Sequence, residues 1–142
     1  MLTIRSPTQD DLDACVALLA AAKLPTADLT ADRLALVAEE DGRVVAAVGL
    51  EQFGALGLLR SLVVDSTRRS DGLGEQLVRE LESLARLRGV RELWLLTIDA
   101  DAYFQRHGYD AVSRDQAPDA IRSTEEFSSL CPGDAVLMRK RL

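Results

Sequence analysis

Residues 64–81, VDSTRRSDGLGEQLVREL, join an apolar run to a helical pattern through two adjacent arginines and two glycines spaced by one residue. This bend constrains the chain on both sides. Ahead of it, LLRSLVV (58–64) is apolar enough for a strand. Behind it, Leu73, Leu77, Leu81, Leu84 and Ala85 fall on one helical face, while Glu75, Arg79, Glu82 and Arg86 stay polar. Gly89 ends that pattern, where a positive φ is cheap. ELWLLTI (92–98) then reads as a strand buried on both faces. Strand, helix 73–88 and strand make a βαβ unit, so the two strands are expected to be parallel with a right-handed crossover.

The rest of the chain supplies antiparallel partners. LTIR (2–5) is a short β-type run, and Thr8 with Asp11 resembles a capping box for a helix over 9–22. KLPTADLT (23–30) is broken by Pro25 and reads as a loop. LALVAEE (34–40), the hairpin signal Asp41-Gly42, RVVAAVGLEQF (43–53) and the turn 54–57 predict a meander leading into 58–64. DADAYFQRHGY (99–109) predicts a short helix ended by Gly108, and YDAV (109–112) and AVLMRK (135–140) predict late strands. Between them 115–134 is helical but interrupted by Pro118, Ser123 and Pro132, as suits a cover rather than a core element. The fold class is α/β (α+β): one domain over 1–142, with a mixed, mostly antiparallel sheet of about seven strands and flanking helices.

Composition narrows the partners. With 142 residues the chain can bury roughly two-thirds of its unfolded surface. Seventeen basic residues against twenty-three acidic ones leave a net charge of −6, so nucleic acid is not an expected partner, and any anion must be held by a local positive feature. The run ACVALLAAA (14–22) is too short to span a bilayer, and MLTIRSPTQD lacks the regions of a signal peptide. Cys15, Cys131 and His107 suffice for neither a zinc site nor a disulfide framework, and a reducing, cytoplasmic setting is expected.

The bend has its own chemistry. Gly72 and Gly74 let the backbone approach a ligand, the amides of Asp71 to Gly74 lie at a helix N-terminus, and Arg68 and Arg69 add full charges. Together they suit a pyrophosphate; a tight turn with solvated arginines is the other reading. Neither a Walker A loop nor a Rossmann GxGxxG is present.

With Leu62 and Val64 ahead of Arg69, Gly72 and Gly74, the segment resembles the acyl-CoA loop of the GCN5-related N-acetyltransferases (GNAT), L-x-V-x-P-x-x-[RQ]-x-x-G-x-[GA]. Ser66 and Ser70 stand where proline and glycine are frequent, and YFQRHGY lies at the distance of the second family motif. LWLLTIDADAYFQRHGYDAV is similar to the acetyltransferase domain of N-acetylglutamate synthases. IRSTEEFSSLCP and LLRSLVV are similar to the small N-acetyltransferases associated with arsenic-resistance operons. The resemblance implies a GNAT fold whose central parallel pair is splayed, acetyl-CoA as cosubstrate, no metal, and direct attack of an amine on the thioester. It places the coenzyme on Leu62, Val63 and Val64, on Arg68, Arg69, Ser70, Asp71, Gly72, Leu73 and Gly74, and against Phe104. A backbone N–H at Leu62 is expected to polarise the thioester carbonyl, a donor worth roughly 3 kcal/mol. Phe104 stands where many family members have a tyrosine that protonates the departing thiolate. Tyr103, turned by about 100° on a helix, is expected to point elsewhere.

On the acceptor side, Glu51 is the candidate proton acceptor, with Glu39 behind it. Arg60, two residues before Leu62, shares a strand face with Leu62 and Val64, and there would meet an acceptor carboxylate or pair with a neighbouring strand. Thr97 touches a ligand in the βαβ crevice or caps the next turn, and Arg122 assists or stays solvated. Cys15 belongs to the core, His107 caps a helix, and Cys131 has no identifiable base to make it a nucleophile. The acceptor implied is the amine of a small carboxylate-bearing molecule, an amino acid or an amino-acid-like toxin in an arsenic-resistance setting. Two readings stand beside this one. One is a non-catalytic acyl-CoA-binding module; the other is a protein N-terminal acetyltransferase, which needs an open groove where 115–134 is long enough to close the site. A homodimer is compatible with the resemblance, and no membrane partner is expected.

Overall fold

The computed structural model describes residues 1–68, 72–130 and 135–142, and at 129 and 130 the backbone only. In chain order the elements are β1 (Leu2–Arg5), α1 (Leu12–Ala21), β2 (Leu34–Glu40), β3 (Arg43–Phe53), β4 (Leu56–Val64), α2 (Leu73–Leu87), β5 (Glu92–Thr97), α3 (Asp101–Arg106), β6 (Asp110–Val112), α4 (Asp119–Arg122) and β7 (Val136–Arg141). The strands form one sheet in the order β1-β2-β3-β4-β5-β7-β6, antiparallel except for β4 against β5. This is the mixed sheet with a single parallel pair that the sequence predicts.

Local chemistry sets the element ends. The Asp41-Gly42 turn between β2 and β3 has φ of 52° and 81°, the paired positive values that a two-residue hairpin requires. The Thr8 backbone N–H donates to Asp11 Oδ2 at 2.7 Å, and Arg5 reaches both oxygens of Asp11 at 2.8 and 3.0 Å. Residues Gln9–Asp11 form a single 3-10 turn, so α1 begins three residues later than the periodicity predicts.

Both faces of the sheet are covered. Leu73, Leu77, Val78, Leu81 and Ala85 of α2 pack on Val48, Leu50, Leu59, Leu93 and Leu95. On the opposite face Cys15 and Leu19 of α1 meet Val37, Ala47 and Val63. Further along that face Leu58, Trp94 and Leu137 are covered by Ala117 and Ile121. Ile121 is fully buried, so the interrupted segment contributes to the core as well as covering it.

The site is positioned by the behaviour of β4. Its parallel pairing with β5 spans only Leu56↔Glu92, Gly57↔Leu93 and Leu58↔Trp94, while β5 continues alongside β7 as far as Thr97↔Val136. Past Leu58, β4 and β5 therefore diverge. On its other edge β4 pairs with β3 at Gly49↔Arg60 and again at Ala47↔Val63, which leaves an extra residue on β4. Ser61 takes it up at φ 56°, in the left-handed region, as a β-bulge.

The bulge corrects one expectation. Counting by twos put Arg60 on the face of Leu62 and Val64, but the extra residue breaks the alternation. Leu62 and Val64 pack toward α2, whereas Arg60 lies over Gly49 on the α1 side. A Cβ at position 49 would stand 2.6 Å from the Arg33 carbonyl oxygen and 3.1 Å from Arg60 Cγ. Gly49→Ala is therefore expected to lower the unfolding free energy by about 1–3 kcal/mol in urea denaturation. An unchanged midpoint and slope would contradict this packing.

Candidate functional site

Where β4 has left β5, a cleft of about 520 Å³ opens, lined by Leu62–Val64 on one side and Gly72–Glu75 on the other. Arg68, Ala100, Tyr103 and Phe104 complete its walls, with Ala22 and Leu24 at the rim. Gly72, at φ 78°, turns the chain into α2 and, as its N-cap residue, offers no side-chain cap. The first-turn amides of α2 thus lie along the cleft at the positive end of a 15-residue helix. Gly74 keeps that floor bare: a Cβ there would lie 3.6 Å from Val64 Cγ2 and 3.7 Å from Tyr103 Oη. Arg68 Nη1 meets both carboxylate oxygens of Glu40, at 2.5 and 2.6 Å.

Eight of the coenzyme candidates thus border one cleft: Leu62, Val63, Val64, Arg68, Gly72, Leu73, Gly74 and Phe104. Arg69, Ser70 and Asp71 lie outside the described residues, as does Cys131. Ser61 and Leu62 have no register partner on either neighbouring strand. Tyr103 departs from expectation. It lines the cleft together with Phe104, and its hydroxyl is buried without a hydrogen-bond partner. Tyr103 and Phe104, neighbours on the short helix α3, thus both reach the cleft although successive helical residues are turned by about 100°. Burial, reinforced by Glu75, holds the Tyr103 phenol above its ordinary range. Phe104 packs edge-on against Tyr109, with ring centroids 5.4 Å apart.

On the opposite face a charged cluster surrounds Arg60, whose side chain has no exposure. Asp28, from the loop after α1, takes both terminal nitrogens of Arg60 at 2.5 Å. Glu51 Oε2 accepts a further hydrogen bond from Nη1 at 3.0 Å, and Arg60 Nε donates to Ser61 Oγ at 3.2 Å. Arg33 adds contacts to Asp28 Oδ2 at 3.1 Å and Glu51 Oε1 at 3.6 Å. Burial opposes the Arg60 charge, but Asp28, Glu126 and Glu51 outweigh it and raise its pKa. Arg60 lowers that of Asp28 in return. Glu126, only 6% exposed, faces the same cluster and is pushed up to about 7. Burial is the main cause; Arg60 pulls the other way, and Asp28 and Glu51 add to the rise.

The structure thus brings Glu51 and Arg60 together as an ion pair. It adds Asp28, Arg33 and Glu126, which sequence reasoning did not single out. Thr97 Oγ1 accepts the Ala100 N–H at 3.0 Å, capping the turn into α3. Arg122 is exposed and donates to the Asp115 carbonyl at 2.6 Å. Glu39 pairs with Arg5 at 3.0 Å. Among the described residues no helix is long and apolar enough to cross a membrane, and no group of three His, Cys, Asp or Glu residues is arranged to hold a metal ion.

Residues 5–109 match the acetyltransferase (GNAT) family model. The chain belongs to this family. An amino-acid acetyltransferase of Pseudomonas syringae pv. tomato is 30% identical over 93 residues, which cover 64% of this chain and 22% of that protein. The chain therefore spans about a fifth of the length of the curated relatives it matches first. N-acetylglutamate synthase from Neisseria gonorrhoeae, solved with coenzyme A and N-acetyl-glutamate, superposes with a TM-score of 0.87 at 20% identity, over all of this chain and 35% of that one. Rv2747 from Mycobacterium tuberculosis, solved with CoA, gives 0.82 at 22% identity over 99% of both chains. At these identities the likeness is one of fold.

Removing the cation from this cluster tests its electrostatics. Arg60→Met leaves Asp28, Glu51 and Glu126 buried with only Arg33 to offset them. It is expected to destabilise the fold by about 3–5 kcal/mol, with part of the loss restored in Arg60→Met/Asp28→Asn. The loss should deepen as pH rises, because the uncompensated carboxylates then bind protons more tightly folded than unfolded. Urea titrations at several pH values read all three effects.

Proposed function

We propose that this GNAT protein transfers the acetyl group of acetyl-CoA to the amine of a small carboxylate-bearing acceptor, an amino acid or a close analogue. One observation carries the reading: the first turn of α2 and the bulged, divergent stretch of β4 border the same cleft. In this reading the pyrophosphate lies on the α2 amides and the pantetheine extends along β4 where β5 has left it, as an added strand would. Arg69, Ser70 and Asp71 add the contacts expected of the family loop. The thioester carbonyl meets the Leu62 N–H, the amine attacks its carbon, and the thiolate departs beside Phe104 and Tyr103.

The acceptor class rests on the charged cluster and on the relatives, which carry the name amino-acid acetyltransferase. Arg60 has committed its fork to Asp28 and Glu51, so it holds the frame of the acceptor side. Arg33 is the guanidinium of that cluster with a third of its side chain exposed, and in this reading it meets the acceptor carboxylate. Amino-acid analogues bearing phosphino or arsono groups present a comparable anion and belong to the same class.

Thiol release from acetyl-CoA, screened against amino acids and their phosphino and arsono analogues, tests the reaction. Turnover with at least one of them is expected; coenzyme binding with no thiol release for any amine would instead identify a binding module. Gly74→Ala tests the cleft. It is expected to fold as stably as the wild type or slightly more so, since alanine outranks glycine in a helix by about 1 kcal/mol. Coenzyme A affinity should nevertheless fall about 10-fold by calorimetry, because the methyl group occupies the ligand floor.

A further inference from the structure

Every carboxylate around Arg60 but one is fastened to an arginine. Asp28 is held by Arg60 and Arg33, and Glu51 by the same two groups. Glu126 makes no ion pair and accepts no hydrogen bond among the described residues, although it is 6% exposed. Its oxygens are not sealed from solvent, so a carboxylate with no protein donor among the described residues is held at a spot that a ligand cation can reach.

Its position is fixed on both sides. Thr124 Oγ1 bonds the Ile121 carbonyl at 2.7 Å and accepts the Phe127 N–H at 3.2 Å. Ile121 and Phe127 pack on Leu58 and Trp94, the last register pair before β4 and β5 part. The Arg114 guanidinium lies 4.8 Å above the Phe127 ring and donates to the Ala135 carbonyl at 3.1 Å. Glu126 therefore belongs to the α1 and α4 face of the divergence, whereas the α2 amides border it from the other face. The charged groups that face it are Arg60 from β4, Glu51 from β3 and Asp28 from the loop after α1, with Arg33 behind them. Three carboxylates oppose two guanidinium groups, so the assembly lacks one positive charge.

We propose that Glu126 binds the acceptor's ammonium group and takes its proton, the ammonium being the cation that Glu126 lacks among the described residues. This rests on the acetyltransferase reading and names its proton acceptor. The R–NH₃⁺ proton passes to the Glu126 carboxylate, leaving R–NH₂ and a neutral carboxylic acid. The nitrogen lone pair forms a bond to the thioester carbon. The C–S bond then breaks, the second nitrogen proton goes to the thiolate, and Glu126 returns its proton to solvent. Amide, CoASH and one released proton balance the step. Burial supports the role, since a carboxyl group raised to about 7 releases and accepts protons near neutral pH.

The test uses β-alanine and aminooxyacetate, which have the same shape but differ in that the oxyamine is already neutral at neutral pH. With wild type and saturating acetyl-CoA, kcat/KM for β-alanine is expected to rise along a limb near pH 7. Glu126→Gln should lose this limb, fall about 100-fold at neutral pH, and recover toward the pKa of the amine itself. Aminooxyacetate should be acetylated by both proteins within about 3-fold, and coenzyme A affinity should be equal. An equal loss for both acceptors, or a pH limb that survives in Glu126→Gln, overturns the proposal. If wild type acetylates neither compound, the transferase reading fails for this acceptor class, and binding decides the role of Glu126 separately. Calorimetry of β-alanine with the coenzyme A complex should then show affinity falling at least 10-fold in Glu126→Gln. No binding by wild type, or equal binding by both, overturns the assignment.

Discussion

A β-strand ordinarily satisfies its backbone on two edges, and β4 beyond Leu58 has to manage with one. The parallel partner is gone after three register pairs, and on the remaining edge the bulge at Ser61 interrupts the ladder with β3. Holding a serine at φ 56° costs of order 1–3 kcal/mol. Leu62 and Val64 packed toward α2 on one face, and Arg60 locked by Asp28 and Glu51 on the other, hold this geometry in place. The same residue that creates the gap in the ladder therefore sends Leu62 toward the cleft beside α2 and Arg60 toward the charged cluster on the α1 face.

The charged cluster around Arg60 contrasts with the Arg5–Asp11 pair in the sign of its effect on stability. Asp11 is pulled down to about 2, chiefly by its hydrogen bonds with Arg5. Its folded pKa is depressed, so the stability it contributes is present above its unfolded value near 3.8 and is lost as pH falls toward 2. Glu126 has the opposite sign. Its folded pKa is raised from 4.5 to about 7, so its contribution is fully present below 4.5 and is lost as pH rises through 7. A group that weakens the fold near neutral pH is retained more readily at a working site than in a structural ion pair.

Much of the frame was legible in the amino-acid pattern because it depends on local signals. The Asp41-Gly42 hairpin, the amphipathic helix over Leu73–Leu87 and the βαβ order each follow from short-range chemistry, and they place the cleft. The face of Arg60 was not legible, because a bulge leaves no mark in LLRSLVV beyond an unremarkable serine. Asp28 and Glu126 were hidden for another reason. Glu125 and Glu126 are identical neighbours in sequence, and only the packing of Ile121 and Phe127 decides which of them is buried. Tyr103 was misjudged because the turn of about 100° between neighbours does not by itself decide whether a long side chain reaches the cleft, and the Tyr103 ring does.

The two halves of the site are built from different materials, and this bears on how acceptor choice can vary within one fold. In the proposed reading the coenzyme half relies on main-chain donors and on the absence of side chains at Gly72 and Gly74, so it demands a backbone shape rather than particular functional groups. The acceptor half relies on side chains, and two of them, Asp28 and Glu126, come from connecting segments rather than from the sheet. Substitutions in those segments can change the charge offered to the acceptor while leaving the β4 divergence and the α2 amides in place. Arg60 is the exception. It sits on the bulged strand itself, so replacing it would disturb both halves at once, whereas Glu126 is free to change with the acceptor.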